Sequence, residues 1–234
     1  MQKYWMILHA LLLLGGAHLS AQDLLETLQQ SRAAYQALEN YHGRVITESF
    51  GEENTDQVIQ TTELTIRKAG SKFWYDMGEV EMLLNEDHLI NINRSERVLT
   101  CQGVDPEALA ANPLMADLAA MVANFSEISY RGLKSGDQSY VLRDEGGPVP
   151  LMELYFDEAN KLLNRAVYHY AEGTLVGSSR VEIRCEHLSL NPRFRSDIFR
   201  SSRFVNVQGN QVQPIEKYRD YTLILGEGLE RVNP

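Results

Sequence analysis

Serine, histidine and carboxylates are all present in this 234-residue chain, but none of the spacings that make them reactive occurs. A nucleophile elbow, a zinc-protease helix, a phosphate-cradling glycine loop and a calcium loop each need a fixed pattern, because each must hold its groups in a fixed geometry. No such pattern is found. His42, His88, His169 and His187 lack metal-ligand spacing, and the two thiols, Cys101 and Cys185, are too few to form a metal site. The acidic group Glu79, Glu81, Glu86 and Asp87 reads as a solvated hairpin edge, since acid-base work needs carboxylates that are partly buried and convergent. The expectation is no catalytic residue, no metal and no cofactor, hence not an enzyme.

The chemistry that remains is the non-covalent holding of apolar groups. Phe73, Tyr75, Met82, Leu84, Ile90 and Ile92 recur in short alternating runs, and Met115, Leu118 and Met121 recur at helical spacing. Methionine is flexible and polarisable, which suits a surface that must fit chains of varied shape, although the same residues could fill an irregular core. Phe73 and Tyr75 flank Trp74, so in a strand they share the face that Trp74 does not.

The elements expected to position these residues are mostly strands. Residues 23–41 read as a helix, capped by Asp23, striped by Leu24, Leu28, Ser31, Tyr35, Leu38 and Tyr41, and stopped by Gly43. Six strands follow as a meander from Arg44 to Gln102; a second helix is inserted from Asp105 to about Phe125, and further strands run from Glu127 to His187. In Ser179–His187, Val181, Ile183 and Cys185 alternate with Arg180, Glu182, Arg184 and Glu186, which reads as one dry and one wet face. Asn191–Phe204 is irregular, and Tyr221–Leu225 closes the chain as a strand. The fold class is therefore mainly β (α+β), with a curved antiparallel sheet of about eleven strands forming a half-open barrel. A sheet of that size curls because each strand is twisted against its neighbour. The amino-terminal and inserted helices are expected to cover the hollow.

Lys3 and the apolar run Met6–Leu14 precede the small residue Ala21, the pattern of a secretory signal peptide and too short for a membrane span. The expected domains are a signal peptide, 1–21, and a single domain, 22–234. Loss of Lys3 with no acid moves the formal charge from −10 to −11. An acidic surface repels phosphate, which argues against nucleic acid as a partner. Outside the cytoplasm two cysteines invite a disulfide, but Cys101 and Cys185 both sit in strand alternations where a buried thiol is equally at home.

The stretch Leu64-Thr65-Ile66-Arg67-Lys68-Ala69-Gly70-Ser71-Lys72-Phe73-Trp74 resembles a segment of the LolA-like periplasmic lipoprotein carriers. Lys68 stands at that family's basic position, Ala69 replaces its proline, and Trp74 matches its tryptophan. Asn85-Glu86-Asp87-His88 falls where the family has its hairpin turn. The motif match covers about residues 64–102, and the order of elements agrees along the mature chain. The resemblance implies a soluble periplasmic carrier or chaperone for lipoprotein acyl chains or another lipid. Inner- and outer-membrane transport proteins would then be its partners, with delivery to the outer membrane. A non-catalytic envelope module of the same fold, recognising a protein partner, is the alternative.

Overall fold

The computed structural model describes residues 22–52, 56–104, 122, 124–175 and 177–232. The expected signal peptide, and the inserted helix with Met115, Leu118 and Met121, lie outside these residues.

Helix α1 spans 22–37, shorter than expected, because the chain enters strand β1 (Asn40–Gly51) one residue before Tyr41, which would have completed the helical stripe. Tyr41 is instead buried in β1, with its hydroxyl 2.9 Å from His187 Nδ1. Gly43 is not a helix stop: a Cβ there would collide with the Tyr41 hydroxyl, so the glycine makes room for the ring.

From β1 the alternation holds. A meander of β2 (Val58–Ala69), β3 (Lys72–Asp76), β4 (Val80–Leu84), β5 (His88–Asn93) and β6 (Val98–Gly103) is followed, after the inserted stretch, by a second. That second run is β7 (Glu127–Lys134), β8 (Asp137–Arg143), β9 (Leu151–Asp157), β10 (Leu163–His169) and β11 (Ser178–Leu190). These strands and β14 (Thr222–Leu225) form one sheet in the order β14-β6-β5-β4-β3-β2-β1-β11-β10-β9-β8-β7. The protein is mostly β, and its large sheet is antiparallel except at β14–β6 and is not closed into a barrel. Twelve strands stand where about eleven were expected, and a second sheet, unforeseen from the sequence, pairs β12 (Val205–Gln208), β13 (Gln211–Pro214) and β15 (Glu230–Arg231).

The described residues group into two compact units, one holding α1, 46–61 and 122–185, the other 38–45, 62–104 and 186–232. In the first, Leu24 and Leu28 of α1 pack with Tyr140, Leu142, Met152, Leu154, Phe156 and Ala166. Register explains this set: Tyr140 lies opposite Leu154, Leu142 opposite Met152, and Leu154 opposite Ala166, so all share one face. Thr27 Oγ1 and the Tyr140 hydroxyl, 2.8 Å apart, satisfy each other beneath the helix. The other face carries two ion pairs, Arg165 to Glu182 at 2.8 Å and Arg184 to Glu48 at 2.7 Å, and a hydrogen bond between His169 Nε2 and Glu153 Oε1 at 3.1 Å. The face expected to be wet is therefore a half-buried polar ladder, and Glu182 is only 8% exposed because arginines on both sides answer its charge.

In the second unit the core is a sandwich of β3–β6 and the carboxy-terminal segment. Trp74, Leu83, Ile90, Ile92, Leu99 and Cys101 from the sheet meet Phe199, Phe204, Val205, Val212 and Tyr218. Glu81 is buried within it at 4% exposure, which corrects its reading as part of a solvated hairpin edge; Glu79, Glu86 and Asp87 are exposed. Trp74 Nε1 donates to Glu81 Oε1 at 2.7 Å and Arg203 Nη2 donates to the same oxygen at 3.2 Å. Arg94 Nη2 donates to the other oxygen and its Nη1 to Asp76 at 3.1 Å.

Both cysteines are free thiols, and burial pushes each up to about 11. At pH 8 only about one thiol in a thousand is then the reactive thiolate. The folded protein should resist Ellman's reagent, and denaturant should release two reactive thiols; fewer than two would reveal a disulfide. Replacing Glu81 by alanine strands Arg94 and Arg203 and should cost about 3–5 kcal/mol in urea unfolding, with Trp74 emission moving to the red.

Candidate functional site

The candidate lining residues do not all share one face, and the register of β3–β6 decides which do. Phe73 lies opposite Leu84 and Tyr75 opposite Met82, while Met82 lies opposite Asn91 and Leu84 opposite Leu89. Ile90 and Ile92 pair instead with Leu83 and Glu81. Side chains alternate with a period of two, so Phe73, Tyr75, Met82 and Leu84 occupy one face and Ile90 and Ile92 the other. The sequence reading had grouped the two isoleucines with Met82 and Leu84. They are 1% exposed and belong to the core with Trp74 and the carboxy-terminal segment.

What remains is an apolar face built from four strands. Ile66 of β2 lies opposite Tyr75, and Val80 and Leu89 extend the face on β4 and β5. The rings of Phe73 and Tyr75 are parallel to within 2°, with centroids 5.9 Å apart. Ile66 is buried, whereas Phe73, Tyr75, Val80, Met82, Leu84 and Leu89 are half-buried. Removal from water pushes the Tyr75 phenol up to about 12. Toward β6 the face turns polar, where Asn91 Nδ2 donates to Thr100 Oγ1 at 3.3 Å.

Lys68 lies opposite Phe73 and so belongs to the same face, at its β2 edge. Its ammonium donates to the Leu38 carbonyl at 2.5 Å, and burial holds it below the ordinary lysine value. Arg67, one residue earlier, points the other way, its guanidinium 4.6 Å from the centroid of the Trp74 ring. Two adjacent basic residues thus serve opposite faces, one stacked on the core tryptophan and the other at the margin of the apolar patch.

Among the described residues the face has no partner set comparable with the closed core opposite, and a pair of truncations should separate them. Leu83→Ala, at a fully buried core position, should cost about 2–5 kcal/mol in urea unfolding, and Met82→Ala well below that. Equal costs would mean that both faces are ordinary core.

No family model matches the sequence, and no curated protein does. Solved structures show a likeness in fold. An uncharacterized conserved protein from Thermus thermophilus is 13% identical, with 75% of this chain and 96% of that chain covered, at a TM-score of 0.40. The lipoprotein LppX from Mycobacterium tuberculosis is 11% identical, with 74% of this chain and 98% of that chain covered, at a TM-score of 0.38. A LolA superfamily protein from Nitrosomonas europaea is 11% identical over 76% of this chain and 98% of that chain, with a TM-score of 0.33. A LolA superfamily protein is therefore among the solved structures that this chain is similar to, at low identity.

Proposed function

We propose that this chain is an exported, non-enzymatic carrier or chaperone of the cell envelope. It holds a lipoprotein acyl chain or another lipid against the apolar face of β3–β5, in transit toward the outer membrane. In this reading residues 1–21 are removed as a signal peptide and the mature domain is soluble in the periplasm. The inserted stretch with Met115, Leu118 and Met121 contributes further lining.

One observation carries the reading. Phe73, Tyr75, Met82, Leu84 and Leu89 form a continuous apolar face that, among the described residues, is neither sealed like the core opposite nor closed by ion pairs. An acyl chain laid on it gains about 0.8 kcal/mol for each methylene taken out of water. Methionine and the stacked aromatic pair provide adaptable contact without demanding one ligand shape. Lys68 at the edge stands where a headgroup phosphate or ester could meet a cation. Among the described residues no helix is long and apolar enough to cross a membrane.

A second reading, an envelope module that recognises a protein, is favoured by β7, an edge strand on which Tyr130 and Leu133 are 42% and 54% exposed.

The lipid reading is tested with cis-parinaric acid, an 18-carbon fluorescent fatty acid, titrated into the purified mature chain. Saturable binding is expected, and Met82→Glu should weaken it at least tenfold, since a carboxylate has to be buried beside the acyl chain. Phe199→Leu, a change in the opposite core, should leave the affinity within about twofold. Equal affinity of the Met82→Glu protein, or no binding by the unaltered chain, would remove the carrier reading.

A further inference from the structure

The second unit also holds a cleft of about 780 Å³ whose chemistry is the reverse of the apolar face. One wall is the β4–β5 turn. Asn85, 5% exposed, shapes it by accepting hydrogen bonds from the Asp87 and His88 amides at 3.0 and 2.9 Å. The Asn85 amide group donates in turn to the Phe199 carbonyl at 3.0 Å and to Ser201 Oγ at 2.9 Å, which fixes the segment before β12. Ser201 Oγ lies 3.2 Å from His88 Nδ1. The walls are therefore pre-built by buried hydrogen bonds.

The remaining side is β12. It is an edge of the three-stranded sheet, and all four of its residues line the cleft. Which of its backbone groups are spoken for follows from register. The Ile215 amide donates to the Phe204 carbonyl at 3.0 Å, so the pair Phe204–Ile215 is of the hydrogen-bonded kind. The pairing continues with Val205 opposite Pro214, Asn206 opposite Gln213, Val207 opposite Val212 and Gln208 opposite Gln211. Alternation makes Asn206 and Gln208 the bonded positions toward β13, and Val205 and Val207 the positions whose N–H and C=O face away. Pro214, which has no N–H to give, sits at a non-bonded position, as this phase requires.

We propose that this cleft receives an extended, uncharged polar peptide segment of a partner protein, which adds as a strand to β12. Its main chain bonds the outward N–H and C=O groups of Val207; Val205, 1% exposed, is closed to the guest by the core in which it packs. Charge selects the guest: Lys72 and Arg200 are balanced by Glu86 and Asp87, and Lys72 is already paired with Glu86 at 2.8 Å. Among the described residues that line the cleft, no net charge draws an acidic or a basic peptide. Side chains facing the guest include Ser196, Ser202 and Gln213, hydroxyl and amide groups that match Ser, Thr, Asn or Gln, and β12 spans only four residues, so the contact is short and reversible. This inference is independent of the lipid reading, because the apolar face and the cleft share no lining residue.

The test is titration of a capped hexapeptide of three Thr-Ser pairs into the isotope-labelled full chain, read by amide NMR. Saturable shifts are expected at the Val207 amide, and the fully N-methylated hexapeptide should bind at least tenfold more weakly. Val207→Pro should lose binding at least tenfold with an unchanged melting temperature, because that N–H makes no bond to β13. Val207→Ala, which keeps the N–H, should bind within about twofold of the unaltered chain. Equal binding of the N-methylated peptide, shifts that leave Val207 untouched, or a response only to a neutral oligosaccharide such as a chitin trimer would each overturn the proposal.

Discussion

A carboxylate taken out of water must be met by donors or it costs several kcal/mol, and in the unit that carries the apolar face that carboxylate is Glu81. Its partners come from three separate places: Trp74 on β3, Arg94 just beyond β5, and Arg203 in the segment that leads into β12. Each arrives from a different part of the chain, so the Glu81 side can be satisfied only when the meander is complete and the carboxy-terminal layer has docked. Arg203 also lies 5.5 Å from the Trp74 ring centroid, which ties the same guanidinium to the core's largest ring. Glu81 therefore fixes which face of β4 is inside. Alternation then sends Val80, Met82 and Leu84 to the opposite face, and a slip of one residue would bury Met82 where the arginines converge.

That second face did not have to be apolar. In the first unit the strand faces opposite the core are closed by charge instead, with Glu153 accepting from the Tyr155 hydroxyl at 2.6 Å and hydrogen-bonded to His169, and Glu182 held between Arg165 and Arg184. Arg180 reaches over the Phe50 ring at 3.9 Å, so its apolar stem and flat guanidinium also serve as cover. Burial raises Glu153, but the hydrogen bonds it accepts from Tyr155 and His169 outweigh that and hold it below the ordinary carboxylate value. A half-buried sheet face can thus be completed with ion pairs. The side chains Phe73, Tyr75, Met82, Leu84 and Leu89 do the opposite and complete their face with apolar groups.

Much of this was legible in the sequence because strands write their period directly into it. All twelve strands of the main sheet overlap runs marked by alternation and by turns such as Gly78 and Arg94-Ser95-Glu96, Tyr221–Leu225 among them, and the shared face of Phe73 and Tyr75 followed from their flanking Trp74. The mispairing of Ile90 and Ile92 with Met82 and Leu84 had a physical origin. Face assignment between strands depends on register, and register is set by the turn Asn85–His88, whose geometry rests on hydrogen bonds that the Asn85 side chain accepts from the Asp87 and His88 amides. The carboxy-terminal layer was missed for a different reason: its strands are only four residues long. Yet the run from Val205 to Pro214 alternates on both sides of Gly209-Asn210, with Gly209 at a φ of 62°, a two-residue hairpin signal that could have revealed it. Glu81 gave no warning at all, since its donors lie 7, 13 and 122 residues away.

The same strand shapes both the apolar face and the polar cleft of the second unit. β4 gives Met82 and Leu84 to the apolar face, and the chain then passes directly into Asn85, whose four hydrogen bonds set the β4–β5 turn and clamp the segment 199–201. Between them Leu83 anchors the closed core. Six consecutive residues from Val80 to Asn85 therefore serve an apolar face, a sealed core with its buried charge, and a polar cleft, in strict alternation. A rigid strand can carry three roles only because a pleated backbone separates neighbouring side chains to opposite faces. The register that seals the core is also the one that holds the apolar face in place.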